Sequence, residues 1–516
     1  MALQTIPSGG IGRSFQDSAF IMDASVSARP EPAPLDHATV RTIIIGIMLA
    51  MFLAALDQTI VATALPTIGR DLGDLQNLSW VVTAYLLSST AATPLYGKIS
   101  DIHGRRATLM VAIAIFIIGS VACALAPTML ALIIARFVQG LGGGGLISLA
   151  QTITADAVSP KERSRYMGYF GVVFALSSIS GPILGGVISQ TVGWPAIFWI
   201  NVPLGLIALV MTYTALKKLP RHDRAHALDY AGALLLVVAA VLLLLALSWG
   251  GVVYPWDAPE IIGLFAGSIV AWVLFGWRMI AAREPFLPIA VLADRVIATA
   301  TLSGFFGIGT MVGLSIYLPL FFQSALGMSA AASGFALIPL SVGTVAGAQA
   351  SGRVMAKTVH YKRAPLIGVA VSILAMIAMT VFAAGLPLLA IEALLVVVGA
   401  GLGTLFPVTV VAVQNAVAPH HMGTATATVN FMRALGSAIL VATFGAIFLA
   451  GVGATGGSSV ESLIANAAAS GRSLGGAFRE VFGAATICII LAFLLLLAME
   501  ERPLRGGSAK PPVQLE

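Results

Sequence analysis

The amino-acid sequence predicts an all-α membrane protein of fourteen spanning helices, and three observations carry the prediction. Of 516 residues, 58% are hydrophobic and only 10% charged, whereas a soluble domain needs roughly a quarter of its residues charged to dress its surface. The apolar residues fall in runs of span length. The basic residues gather in alternate loops between those runs.

A bilayer core of about 30 Å takes about 20 apolar residues per helix. Runs of that kind are 42–64, 79–97, 107–126, 129–150, 164–189, 196–216, 230–249, 261–281, 296–322, 332–352, 364–384, 387–413, 422–450 and 481–499. Two divisions rest on proline, one at Ala126-Pro127-Thr128 and one at Gly385-Leu386-Pro387. Proline lacks the amide donor a helix interior needs, so a tight turn at each is the better reading. Nothing outside the runs is long enough for a soluble domain.

An even count puts both termini on one side. With the N-terminus inside, 23 of the 28 Lys and Arg fall in inside segments, and the outside loops hold only Arg70, Arg472 and Arg479. Basic residues near span ends resist translocation. The expectation is a multi-pass protein of the cytoplasmic (inner) membrane with both termini cytoplasmic. Residues 1–40 are polar and lack a signal-peptide core, so they read as a disordered cytoplasmic tail. The same loops account for the net charge of +6, so no nucleic-acid partner is implied. Cys123 and Cys488 each lie inside an apolar run, which excludes a disulfide framework.

Three charges break the apolar pattern: Asp57, Arg136 and Arg433. Each costs at least about 2.5–3.5 kcal/mol at membrane depth, so each needs a partner. Asp57 lies eight residues before Leu65, and Arg136 eight after Thr128. At 1.5 Å per residue both sit about 12 Å below the outer interface. Arg433 lies eleven residues up from the inner end of its span, where a long side chain is expected to reach the Asp from below. Neighbouring cations lower a carboxyl pKa and desolvation raises it. If a conformational cycle alternates these surroundings, Asp57 takes up a proton on one side and releases it on the other, with Arg136 and Arg433 tuning it. The competing reading is a static ion pair that holds helices together. Glu392, five residues inside an outer end, reads as a snorkelling carboxylate.

The loop from Gly97 to Arg106 joins the second and third spans. Gly97 permits close helix approach, Asp101 caps the next helix or pairs with an Arg such as Arg105 or Arg106, and Gly104 permits a sharp turn. Such a loop suits a latch between two halves. A degraded likeness, Gly352-Arg353 followed by Lys357 and Lys362-Arg363, hints at an internal duplication. The fifth span carries Gly181-Pro182 and Gly185-Gly186, a small-residue face with a bend. Gly140 to Gly145, directly below Arg136, reads as an unusually flexible stretch.

Together these pieces resemble the major facilitator superfamily and, within it, the fourteen-span drug:proton antiporters. Leu56 to Pro66 is similar to that family's first-span motif, Gly97 to Arg106 to its cytoplasmic loop, and Arg136-Phe137-Val138-Gln139-Gly140 to its fourth-span motif. Gly181, Pro182, Gly185 and Gly186 resemble the fifth-span antiporter motif; Ile197 to Pro203 and Asn430-Phe431-Met432-Arg433 also match. One departure is Trp194-Pro195-Ala196, where the family usually has Arg after the Trp.

The resemblance implies two six-helix bundles plus two inserted central helices. In this chain that gives bundles at 41–218 and 295–500, with inserted helices and linkers at 219–294 and a cytoplasmic tail at 501–516. It implies a secondary active transporter, not an enzyme, that exports small lipophilic or amphipathic compounds in exchange for protons. The proton is then the coupling ion and no cofactor is needed. The alternative is proton-coupled transport of a physiological solute such as a lipid, siderophore or amino acid. Substrate contacts are expected from mid-depth residues: Gln58, Tyr85, Gln151, Phe305, Phe306, Tyr317, Phe406, Gln414, Asn430 and Phe431. One acid against two Arg at depth favours neutral, amphipathic or anionic compounds. The partners expected are a small molecule and membrane lipid, and whether a periplasmic adaptor docks outside is left open. No GxxxxGK[ST] loop offers ATP drive. His420-His421 is the one dense His pair and reads as a solvated inside turn, not a metal site.

Overall fold

A computed structural model describes residues 37–504, apart from 75–76, 79, 219–228, 252, 283–284, 287–292, 359 and 453–473. Of the tails expected at 1–40 and 501–516, residues 1–36 and 505–516 lie outside the described residues, as do basic residues such as Arg221, Arg283 and Arg472, while residues 37–40 already belong to the first helix. Within them the chain is helical, with no strand and one isolated bridge, Gly250 with Tyr254.

The helices are α1 His37–Leu72, α2 Trp80–His103, α3 Arg105–Ala124, α4 Met129–Ala157, α5 Pro160–Thr191, α6 Ala196–Trp199, α7 Asn201–Ala215, α8 Tyr230–Trp249 and α9 Pro259–Ala281. They continue as α10 Arg295–Ser324, α11 Ala330–Phe335, α12 Ile338–Lys357, α13 Arg363–Phe382, α14 Leu388–Ala416, α15 Met422–Val452 and α16 Leu474–Ala498. Thirteen stretches of the described residues are long and apolar enough to cross a membrane, α6 and α7 counting as one and α11 and α12 as another. The fourteenth expected span, α2, has 24 residues but is more polar, because Ser88, Thr90 and Thr93 face the interior and Lys98 and Asp101 fall at its end. The prolines expected to split two runs do so, since α3 ends before Pro127 and α14 begins just after Pro387. The chain is thus a multi-pass membrane protein.

Packing follows sequence order in two groups. Helix α1 packs on α5 and α7, and α4 on α2 and α3. In the second group α12 packs on α14, α10 on α15 and α16, and α13 on α14 and α16. The groups meet along α2 against α15 and α5 against α12. The inserted α8 packs on α9 and also on α2 and α15. It therefore stands beside the seam between the groups, where Trp249 meets Trp80 edge-on at 5.5 Å.

The glycine run in α4 departs from expectation. Gly140, Gly142, Gly144 and Gly145 are buried, and a side chain there would run into Tyr85 and Ser88, into Phe116, into Ser89 or into the Tyr96 ring. The run lets α2 and α3 approach the α4 backbone closely, and it forms regular helix instead of a flexible stretch.

Candidate functional site

Asp57 is fully buried in the middle of α1. The Arg136 Nη1 donates to its Oδ2 at 2.5 Å. Gln139 Nε2 and Asn201 Nδ2 donate to its Oδ1 at 2.9 and 3.0 Å. Ser120 ties the two amides together, accepting from Gln139 at 3.2 Å and from Asn201 at 3.0 Å. Arg136 also donates to the Val81 carbonyl and to Gln139 Oε1, and its guanidinium lies 4.3 Å from the centre of the Tyr85 ring. Five helices thus converge on one carboxylate: α1, α2, α3, α4 and α7. Such a pair withstands burial only because nearly every polar atom is satisfied; removing one partner of a buried pair costs about 3–5 kcal/mol.

The depth match between Asp57 and Arg136 is realised, but Arg433 does not join them. Its Nη2 donates to Thr409 Oγ1 at 2.5 Å and to the Phe406 carbonyl at 3.2 Å, both on α14. Counting residues along a span gives height and not azimuth, so two charges at matching height can face different neighbours. Gln139 and Asn201 were missed as ligands of Asp57, although both stand inside motifs that had been singled out.

A cavity of about 1030 Å³ opens between the two helix groups. Its lining includes Gln58, Thr90, Phe174, Tyr317, Phe406, Asn430 and Arg433. Along α15 it runs from Asn430 to Leu449, and α8 contributes Leu244, Leu247 and Ser248, with Trp256 beyond. The first of the two inserted helices, with the loop that follows it, thus supplies part of this wall.

Of the ten expected contact residues, Gln58, Tyr317, Phe406 and Asn430 line the cavity. Tyr85 is turned to Arg136 instead. Phe431 is buried facing the inserted pair, 6.4 Å from Trp272. Phe305 packs on Gly436, with Phe306 against it at 5.1 Å. Gln151 and Gln414 lie below the floor, where Gln414 Nε2 donates to the Gln151 carbonyl and Asn430 donates to Gln151 Oε1 at 2.8 Å.

The end of the molecule opposite the cavity mouth is shut. Asp101 accepts from the Gly423 and Thr424 amides at 2.9 and 2.7 Å and from Thr424 Oγ1 at 2.6 Å. It also pairs with Arg105, which donates to Asp156 at 2.8 Å. Asp101 thus caps the first turn of α15, 322 residues away, and not the helix that follows it. Gly97 makes this possible, since a side chain there would strike Ala427 and the Gly423 carbonyl. Gly104, at φ +88°, turns the chain between α2 and α3. Arg106 leaves the group and stacks on Tyr213 at 4.3 Å. Arg163 adds a second bridge, donating to Gln414 Oε1 at 3.2 Å. Burial draws the Arg163 guanidinium down to about 10, against the attraction of Asp156, so it stays cationic at neutral pH.

The fifth-span motif lies against α1 just beyond Asp57. A side chain at Gly181 would strike Thr59, and one at Gly185 would strike Thr63 and the Ile60 carbonyl. Thr59 Oγ1 donates to the Ser177 carbonyl at 2.9 Å across the same contact. Pro182 is exposed, and nothing lies within 4 Å of a Cβ built at Gly186.

Residues 47–441 match the Major Facilitator Superfamily model. The chain belongs to that family. It is a transporter of that superfamily and not an enzyme. Multidrug resistance protein 3 of Bacillus subtilis is 35% identical over 411 residues, 80% of each chain. The multidrug transporter protein MdtP of the same species is 34% identical over 79% of this chain and 75% of its own. The efflux pump dotC of Dothistroma septosporum is 36% identical over 77% of this chain and 69% of its own. Among solved structures, the human organic anion transporter MFSD10 superposes with TM-score 0.63 at 18% identity, covering 89% of this transporter and 99% of that chain. A bacterial homologue of the iron transporter ferroportin in an outward-facing state gives TM-score 0.63 at 11% identity, covering 90% and 100%. At such identities these two show the fold alone.

Proposed function

We propose that this transporter exports small lipophilic or amphipathic compounds across the cytoplasmic membrane in exchange for protons, by alternating access. The observation that carries the reading is Asp57, a fully buried carboxylate held by one Arg and two amides, with its sequence neighbour Gln58 on the cavity wall. Such a group is expensive to keep ionised in a dry interior and inexpensive to protonate once its cation moves. A cycle that parts α1 from α4 therefore changes the proton affinity of Asp57, and the exchange of proton for compound follows from that change. The multidrug and efflux roles of the relatives named above support the direction and the substrate class.

With the termini cytoplasmic, the closed Asp101 end faces the cytoplasm and the cavity faces out, so the conformation described is the releasing one. Opening inward requires breaking the Asp101 cap and the Arg163–Gln414 bridge.

The test is proton movement in inverted vesicles on addition of a lipophilic neutral or acidic drug, with Asp57→Asn alongside. The proposal expects proton release in the parent and none in the variant. Equal proton movement in both would remove Asp57 from the coupling.

A further inference from the structure

Among the described residues, Arg433 is the one charged side chain on the cavity wall, and it is 5% exposed. Its guanidinium has five donor hydrogens on three nitrogens, yet only Nη2 is used, on two neutral oxygens of α14. Nε and Nη1 have no partner. Among the described residues it forms no ion pair, in contrast to Arg136, which is equally buried and has Asp57. A buried cation without a counter-charge is costly, and structures retain one where something else supplies the negative charge.

The surroundings fit an acidic group with an apolar body. The guanidinium stacks on the Phe406 ring at 4.6 Å, which fixes its plane. Gly304 of α10 leaves room beside Nε, where a side chain would approach to 3.3 Å. Adjoining wall residues are Ile308, Val312 and Phe174, with Asn430 and Ser437 as neutral hydrogen-bonding neighbours. Among the described residues no carboxylate lines the cavity, so a bound cation would meet only Arg433 there and be repelled.

We infer that Arg433 is the anchor for an acidic group of the carried compound, so that the transporter takes amphipathic acids in preference to neutral or cationic compounds of the same shape. The inference rests on the export reading above and deepens it. It also separates the two buried arginines: Arg136 belongs to the proton site, and Arg433 to the compound.

The test uses purified transporter in nanodiscs of zwitterionic lipid and calorimetric binding of three isosteric probes: 2-naphthoate, 2-naphthamide and 2-naphthylmethylamine. A biphenyl series of the same three groups is run in parallel. Hydrogen bonds to a charged partner support a preference of about tenfold to a hundredfold for the carboxylate over the amide. Arg433→Gln should erase that preference, and a melting temperature in the nanodisc near that of the parent shows that the variant is folded. Arg433→Lys should keep part of it. A parent that prefers the carboxylate on neither scaffold overturns the inference, as does an Arg433→Gln variant that keeps the preference. A lipid phosphate could supply the same chemistry. If phosphatidylglycerol in the nanodisc competes with 2-naphthoate in the parent but not in Arg433→Gln, the anion site stands and its occupant is a lipid. Proton movement lost in Asp57→Asn but absent any carboxylate preference would sink this inference while sparing the export reading.

Discussion

Asp101→Ala should unlock the closed end. The carboxylate is 6% exposed and makes three hydrogen bonds to the first turn of α15 besides its pair with Arg105. Hydrogen bonds to a charged group contribute about 1.5–3 kcal/mol each but do not add, and loss of a helix cap alone costs about 0.5–2 kcal/mol. Taking about 3 kcal/mol for the set, and about 1.4 kcal/mol per tenfold, the ratio of closed to open falls by about a hundredfold. Asp101→Asn keeps one acceptor for an amide and should lie between. The reporter is Thr154→Cys, a position with no exposure in the closed structure, in a chain whose two cysteines, Cys123 and Cys488, are replaced by Ala. Its labelling rate by a membrane-impermeant maleimide offered at the Asp101 end should rise in step with the shift. An unchanged rate in a folded, monodisperse Asp101→Ala protein would refute the latch.

Two further outcomes follow from packing. Gly181→Ala and Gly185→Ala should each destabilise the protein by about 1–3 kcal/mol by forcing α5 off α1, seen as a lower melting temperature in detergent, while Gly186→Ala should be silent because a Cβ there meets nothing within 4 Å. Equal effects at all three would mean that the glycines do not act through this contact. Leu244→Trp and Ser248→Trp, on the inserted helix, should narrow the cavity and cut transport several-fold at normal protein levels; Val270→Trp on α9, 58% exposed, is the control. Unimpaired transport in the first two would take the inserted pair out of the cavity wall.

What the sequence revealed divides along physical lines. Span number and the Asp57–Arg136 pair were legible because burial cost and rise per residue act along one helix and need no knowledge of its neighbours. Even α2, which falls outside the thirteen most apolar stretches, was legible as the run 79–97. Which face of a helix meets the cavity was not legible in the same way. Phe431 and Asn430 are adjacent, yet Asn430 lines the cavity and Phe431 points at Trp272 on α9, because successive residues on a helix diverge by about 100°. The Asp101 cap was half legible: the residue type announced a cap, but its helix lay 322 residues downstream. Arg433 was read as a partner for the one available acid, and the structure surrounds it with neutral groups instead.

The central claim is that a proton on Asp57 is exchanged for the compound. It is tested most directly in proteoliposomes holding this transporter alone, with an imposed pH gradient and no other energy source. The account predicts uptake of compound against its own gradient into acid-loaded vesicles, reversal of the direction when the pH gradient is reversed, and equilibration without accumulation in Asp57→Asn. Accumulation by Asp57→Asn equal to that of the parent would contradict it.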